Sequence, residues 1–275
     1  MNRPSVAVIG MGEAAALDRC LAALVPQRAD VVVTYDPAID YGDLSRHPGV
    51  RFVRNEGQRT PLELASRAIR ETVAEKVLVT KDYCVPDPGW VDAMSRALDH
   101  SAAVGGAIDV PDDVSDFEWA FSIIDLYRYA SPLPDGIASS LSVYNAGYRR
   151  SALERLSVDW RHFQESAVNA ALAAREGPLR WVADSRVVVR RDVAWLEAMR
   201  ERFALGRTFA RKRAELATPQ ERWTWRLGAP AVPALMLSRI LRARPRDVRR
   251  IRRLAPLLLL LLARGGGEWL GYYGR

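Results

Sequence analysis

The first hundred residues alternate between short β-branched runs and stretches of helical period. Residues 6–9, 31–35, 51–53 and 77–80 are the apolar runs; between the first two, Leu17, Cys20, Leu21 and Leu24 fall at i, i+3, i+4 and i+7, one face of a helix. Pro61 and Pro88 each occupy a favoured first-turn position and predict helices to about residues 73 and 98. Short strands alternating with helices predict parallel pairing and an open α/β sheet, and such sheets bind ligands beyond the carboxyl ends of their strands. Those ends are Gly10, Tyr35-Asp36 and Lys81-Asp82-Tyr83. Further on, 102–108 predicts a strand, 164–175 a helix, 181–189 a last strand and 193–216 a long cationic helix.

The tail changes character. Two apolar pieces, 227–237 and 254–263, flank a block in which eight arginines between 239 and 253 face one acid, Asp247. Their net charge of seven equals the formal excess of the whole 275-residue chain, so the basicity belongs to this appendage and predicts an anionic partner. The second apolar piece spans about 15 Å as a helix, against about 20 residues needed to cross a bilayer. Leucine with arginine suits a helix lying in an anionic membrane interface through 227–263; nucleic acid, which calls for stacking aromatics, is not expected. The competing expectation is a helical pair packed on its own domain. Two cysteines, Cys20 and Cys84, make no disulfide framework, and the four-residue run VAVI is too short for a signal peptide. A reducing compartment follows, and a peripheral place on the cytoplasmic face of a membrane.

Two motifs compete at the sheet edge. Gly10-Met-Gly12-Glu-Ala-Ala15 follows a strand and opens a helix, with Asp36 ending the second strand, which is the minimal dinucleotide signature and would mark an NAD-dependent oxidoreductase. The longer series is VAVIG with EAAALDRCLAAL, VVVTYDPAID, KVLVTKDYCVPDPGW, VGGAI, YNAGYRRSALERL, HFQESAVNAALAAREG and RERFALGRTFARKR. In that order these stretches resemble the family 2 glycosyltransferases of GT-A fold over about residues 5–215.

The resemblance implies a GT-A-like open mixed sheet flanked by helices at 1–216, followed by a basic, leucine-rich, membrane-associating helical tail at 217–275. It implies transfer of a sugar from a nucleotide-diphosphate donor to a lipid-linked or polysaccharide acceptor, with inversion, as in polysaccharide biosynthesis. In such enzymes aspartates hold the nucleoside and a divalent cation. Here the D-x-D metal motif is degenerate: Lys81-Asp82-Tyr83 has lost both outer carboxylates. Metal ligation is therefore not expected; Asp82 is the one carboxylate left for Mg²⁺ or Mn²⁺, which prefer several oxygen ligands. Donor contacts carried over are Tyr35, Asp36, Lys81, Asp82 and Arg190 or Arg191, with Lys81 as a fixed cation toward the diphosphate. Glu165 is the catalytic base, and Asn145, Tyr148 and Arg149 form the acceptor side. The alternative is a degenerate relative that binds nucleotide or glycan without turnover.

Each residue also has a plainer reading. Glu165 suits the first turn of a helix through its dipole. Asp36 and Asp40 suit turns around Pro37, Asp82 a strand-end cap, Asp87 a helix N-cap, and the segment N-A-G-Y-R-R at 145–150 a tight turn. Trp90 suits the core. His47, His100 and His162 show no partner in the sequence, and Arg207 with Arg211 suits a solvated helix face.

Overall fold

A computed structural model describes residues 3–56, 61–215, 217–243 and 251–273. In chain order its elements are β1 (Ser5–Gly10), α1 (Ala14–Leu24), β2 (Asp30–Tyr35), β3 (Val50–Arg54), α2 (Pro61–Glu71), β4 (Lys76–Lys81), β5 (Cys84–Pro86) and α3 (Trp90–Ala97). They continue with β6 (Ala103–Asp109), α4 (Asp116–Leu126), β7 (Gly136–Ile137), β8 (Ala146–Arg149), α5 (Arg150–Glu154), α6 (Glu165–Glu176) and β9 (Arg180–Val189). The chain ends in α7 (Trp195–Glu215), α8 (Pro219–Gly228), α9 (Val232–Ala243) and α10 (Leu254–Gly271). Two compact units result, Met1–Asp109 with Tyr129–Arg190, and Val110–Arg128 with Arg191–Arg275.

The first unit holds one sheet, nine-stranded among the described residues, in the order β3-β2-β1-β4-β8-β6-β9-β5, with β7 on β9. Strands β3, β2, β1 and β4 pair in parallel; β8 then runs antiparallel between β4 and β6. All six residues of β1 are buried, as its uninterrupted apolar run requires of a strand covered on both faces. Parallel register sets Gly10 opposite Tyr35 and Ile9 opposite Lys81, so the predicted rim residues share one sheet edge. Antiparallel β8 is set by Ala146 opposite Val79 and Arg149 opposite Lys76. It removes the second parallel half that a dinucleotide-binding sheet would need. The third helix begins at Trp90 behind Gly89, whose φ of 82° favours glycine, so Pro88 lies before the helix and Asp87 is not its cap. Asp87 instead takes the Arg186 guanidinium at 2.7 Å.

The second unit is helical. Leu257, Leu260 and Leu261 of α10 pack with Trp119, Phe121 and Ile124 of α4, Ala198 of α7 and Ile240 of α9. Helix α4 starts on a capping box of Ser115 and Glu118, and α8 on one of Thr218 and Glu221. Helices α7 and α10 approach backbone to backbone: a Cβ on Gly206 would fall 2.1 Å from the Arg264 carbonyl oxygen, and one on Gly267 2.0 Å from that of Phe203. Helix α7, read from the sequence with the first domain, thus belongs to the unit that carries the tail, and the division falls after Arg190. The apolar piece predicted at 254–263 is the first half of a longer helix. Arg244, Arg246, Asp247, Arg249 and Arg250 lie outside the described residues.

The glycine packing makes a paired prediction. Gly267→Ala forces the two backbones apart and should lower stability by about 1–3 kcal/mol, the usual cost of overpacking. Gly266→Ala, where nothing lies within 4 Å of the added carbon, should stabilise by up to about 1 kcal/mol through helix propensity. Thermal unfolding of the two variants should therefore shift in opposite directions; equal shifts would refute the close contact.

Candidate functional site

At the end of β4 two successive side chains part company. Asp82 turns inward under the β1–α1 turn, where its Oδ2 accepts from the Met11 N–H at 2.9 Å, the Gly12 N–H at 2.7 Å and the Tyr41 hydroxyl at 2.7 Å. Its other oxygen is buried with no hydrogen-bond partner, and the residue has no exposed surface. Burial pushes the Asp82 carboxyl up, opposed by the three donors and by Lys81. Burial and the adjacent Asp82 push the Tyr41 phenol up as well. A Cβ at Gly12 would sit 3.2 Å from Asp82 Oδ1, so glycine there leaves room for the carboxylate. Asp82, expected among the donor contacts, is an internal clasp.

The same placement bears on metal binding through the chemistry of the side chains. The flanking positions present an ammonium and a phenol, Asp82 is enclosed, and no group of three His, Cys, Asp or Glu side chains suited to an ion exists among the described residues. A divalent cation that wants hard oxygen ligands does not fit this rim.

Lys81 takes the other direction. Its Nζ lies 3.9 Å from the ring centroid of Tyr144 and 5.5 Å from that of Tyr83, a two-ring cage worth about 0.5–2 kcal/mol to a cation. The Tyr83 hydroxyl donates to that of Tyr144 at 3.2 Å, and the Thr80 hydroxyl to the Tyr144 carbonyl at 2.9 Å. No carboxylate among the described residues takes Lys81 in an ion pair. Tyr144 arrives through strand pairing: with Ala146 opposite Val79, the residue two before it falls opposite Lys81 on the same face.

Glu165 opens α6 behind Gln164, whose side chain makes no cap. Its carboxyl is pushed up to about 7, first by burial, and is held from going higher by the field of Lys81 and by the Val143 N–H. The base candidate is thus tuned to neutral pH and lies within electrostatic reach of the caged ammonium. Tyr148 lies on the same side of β8, its hydroxyl donating to Asn169 of α6 at 3.1 Å.

The other expected residues divide. Tyr35 is half-buried at the rim, its ring edge-on to Tyr41 at 5.8 Å. Asp36 and Asp40 serve turns, accepting from the N–H groups of Ala38 and Gly42. The Arg190 N–H donates to the Tyr83 carbonyl, which ties that residue to the rim. Arg191 belongs to the helical unit, with both guanidinium branches on Glu201 at 3.2 and 2.9 Å. The proposed acceptor side does not assemble. Asn145 is fully buried, accepting from Trp90 Nε1 at 2.8 Å and donating to the Ala107 carbonyl at 2.9 Å. Tyr148 is core, and Arg149 pairs with Lys76 at the far end of β4. His47 and His162 do have acidic partners, Asp18 at 2.9 Å and Asp159 at 2.6 Å. Sequence reasoning missed Tyr144 and Tyr41. Strand alternation through 144, 146 and 148 was the available signal for the first.

No family model and no curated protein matches the chain. Solved structures do. A mannosyltransferase from Pyrobaculum calidifontis, in complex with GDP-Man and Mn²⁺, matches with a TM-score of 0.53 at 14% identity, over 97% of this chain and 86% of that one. Residues 1–349 of TarS from S. aureus match at 0.50 and 11%, over 97% and 90%. Glucosyl-3-phosphoglycerate synthase from Mycobacterium tuberculosis, in complex with Mn²⁺, UDP-Glc and phosphoglyceric acid, matches at 0.50 and 14%, over 74% and 77%. The chain has the GT-A glycosyltransferase fold expected from its sequence.

Glu165 carries a testable signature. Its folded value, about 7, lies above the ordinary 4.5, so the fold prefers the protonated acid and loses stability as pH rises through that window. Glu165→Gln removes the loss: chemical denaturation should find it about 1–3 kcal/mol more stable than wild type above about pH 8 and equal to it below about pH 4. A Lys81→Met variant, lacking the cation that lowers Glu165, should move the wild-type transition to higher pH. A difference that is the same at every pH would refute the assignment.

Proposed function

We propose that the protein is a metal-independent family 2 glycosyltransferase, moving a sugar from a nucleotide-diphosphate donor to a lipid-linked or polysaccharide acceptor with inversion. The observation that carries this is an acid raised to about 7, Glu165, lying in the field of a caged ammonium, Lys81, at the sheet edge. The fold supports the donor class, since the similar mannosyltransferase and synthase were solved with GDP-Man and UDP-Glc.

In this reading the donor lies across the carboxyl ends of β1, β2 and β4. Tyr35 stacks on its base, and Lys81, reinforced by Arg190, neutralises charge growing on the leaving diphosphate. A preorganised cation in a low-dielectric site does this at no reorganisation cost. The acceptor hydroxyl oxygen attacks the anomeric carbon from the opposite side as the carbon–phosphate-oxygen bond breaks, which inverts the centre. The nucleoside diphosphate leaves with the bonding electrons, and the hydroxyl proton passes to Glu165. Asp82 touches no reacting group; it holds the β1–α1 turn in place.

A second reading, nucleotide binding without turnover, has one observation in its favour: Lys81 is only 9% exposed. Assay of UDP- and GDP-sugars in excess chelator separates the two. Release of nucleoside diphosphate without metal is expected, with Lys81→Met and Glu165→Gln each losing about 100-fold or more in kcat. Glu165→Gln should keep donor affinity. Activity that requires Mn²⁺ would overturn the lysine role, and binding without turnover would establish the second reading.

A further inference from the structure

The helical unit presents an apolar face to solvent. Along α10, Leu258, Leu259, Leu262 and Leu270 are 41, 50, 59 and 46% exposed, and Trp269 and Tyr273 at its end are 43 and 54% exposed. On α9, Leu235 and Leu241 are exposed beside Arg239 and Arg242. Exposed apolar side chains in this number along neighbouring helices call for an occupant.

We infer that this face docks the protein on an anionic bilayer, with α10 lying in the plane of the interface rather than crossing it. By length and composition α10 is a candidate span of 18 residues. Its opposite side, however, is locked backbone to backbone on α7 at Gly206 and Gly267. Helix α7 carries Glu197, Arg200, Glu201, Arg207, Arg211 and Lys212, so a spanning α10 would drag a charged helix into hydrocarbon. In the plane, the leucines reach the acyl boundary while α7 stays wet.

Charge selects the occupant. The sole acid in α9 and α10 is Glu268, which is buried, whereas Arg239 and Arg242 are exposed. A second copy would set this cationic surface against itself; anionic headgroups complement it. The far end adds an amphipathic girdle: Arg226 lies 5.6 Å from the ring of Trp223 and 4.8 Å from that of Tyr273, which packs edge-on to Trp269 at 5.3 Å. Tryptophan, tyrosine and arginine together suit headgroup depth. The inference stands apart from the reaction at the sheet rim.

Flotation of the full chain with vesicles of neutral lipid, with and without phosphatidylglycerol, tests it. Binding should be about tenfold stronger with the anionic lipid, weaken in high salt and be released by alkaline carbonate. A Leu258→Glu, Leu262→Glu double variant changes only exposed positions. It should keep its helical circular dichroism and bind at least about tenfold more weakly. Retention after carbonate would mean a spanning helix and overturn the inference. So would equal binding by the double variant, no flotation at all, or a solution dimer that the double variant dissolves.

Discussion

One buried carboxylate organises the rim. Asp82 ties the end of β4 to the turn between β1 and α1, spending one oxygen on two backbone N–H groups and the Tyr41 hydroxyl. Those donors would otherwise be orphans at a helix entrance. With Asp82 committed inward, its neighbour Lys81 is sent to the other side, where Tyr144, two residues ahead of β8, and Tyr83 flank it. Lys81 in turn opposes the rise that burial imposes on Glu165. The chemistry of the edge therefore follows from which way one acid points.

The outcome is a sheet edge whose polarity is reversed relative to a metal site. A divalent ion is held by convergent carboxylates and supplies mobile, exchangeable positive charge. An ammonium held between two phenol rings supplies a single charge, fixed in position and partly desolvated. The rings stabilise the cation without neutralising it, as a carboxylate partner would. The cage thus keeps a charge available at a location where an ion pair would have spent it. Glu165 remains protonatable near neutrality because that charge is present but not in contact.

Much of this was legible in the chain because parallel strands are simple. Four apolar runs and the helices between them fix register once pairing is parallel, and the strand ends then name the rim residues Gly10, Tyr35 and Lys81. Glu165 was expected as a base through family resemblance, and its raised pKa follows from burial that no local pattern encodes. Mixed pairing was expected through the resemblance, but the strand that supplies it was not legible. Strand β8 is four residues long and contains Gly147, too little for a period, and the segment N-A-G-Y-R-R read as one acceptor patch. Pairing splits it instead: Asn145 faces Trp90, Tyr148 faces Asn169, and Arg149 reaches the opposite end of the strand. Side chains one residue apart on a strand cannot serve one pocket.

The arginines of the helical unit show why charge counting alone misjudges a surface. The sequence attributes the chain's basicity to the block at 239–253, yet Arg253 in that block is 1% exposed, braced on Asp112 and Asp116 and over the Trp119 ring at 4.7 Å. Arg202 of α7 is likewise buried, on Asp125 at 2.6 Å and over Phe121 at 4.2 Å. These guanidiniums join helices α7 and α4 and the start of α10; removing Asp125, or Asp112 and Asp116 together, would strand a buried cation, a loss of about 3–5 kcal/mol. Such arginines are structural and contribute nothing to attraction at the surface. Among the charges that can meet an anion are the exposed Arg239 and Arg242 on α9, and they matter because the neighbouring exposed side chains are leucine. Basic residues next to acids make a solvated protein face; basic residues next to apolar ones make a face that water covers poorly and a charged interface covers well.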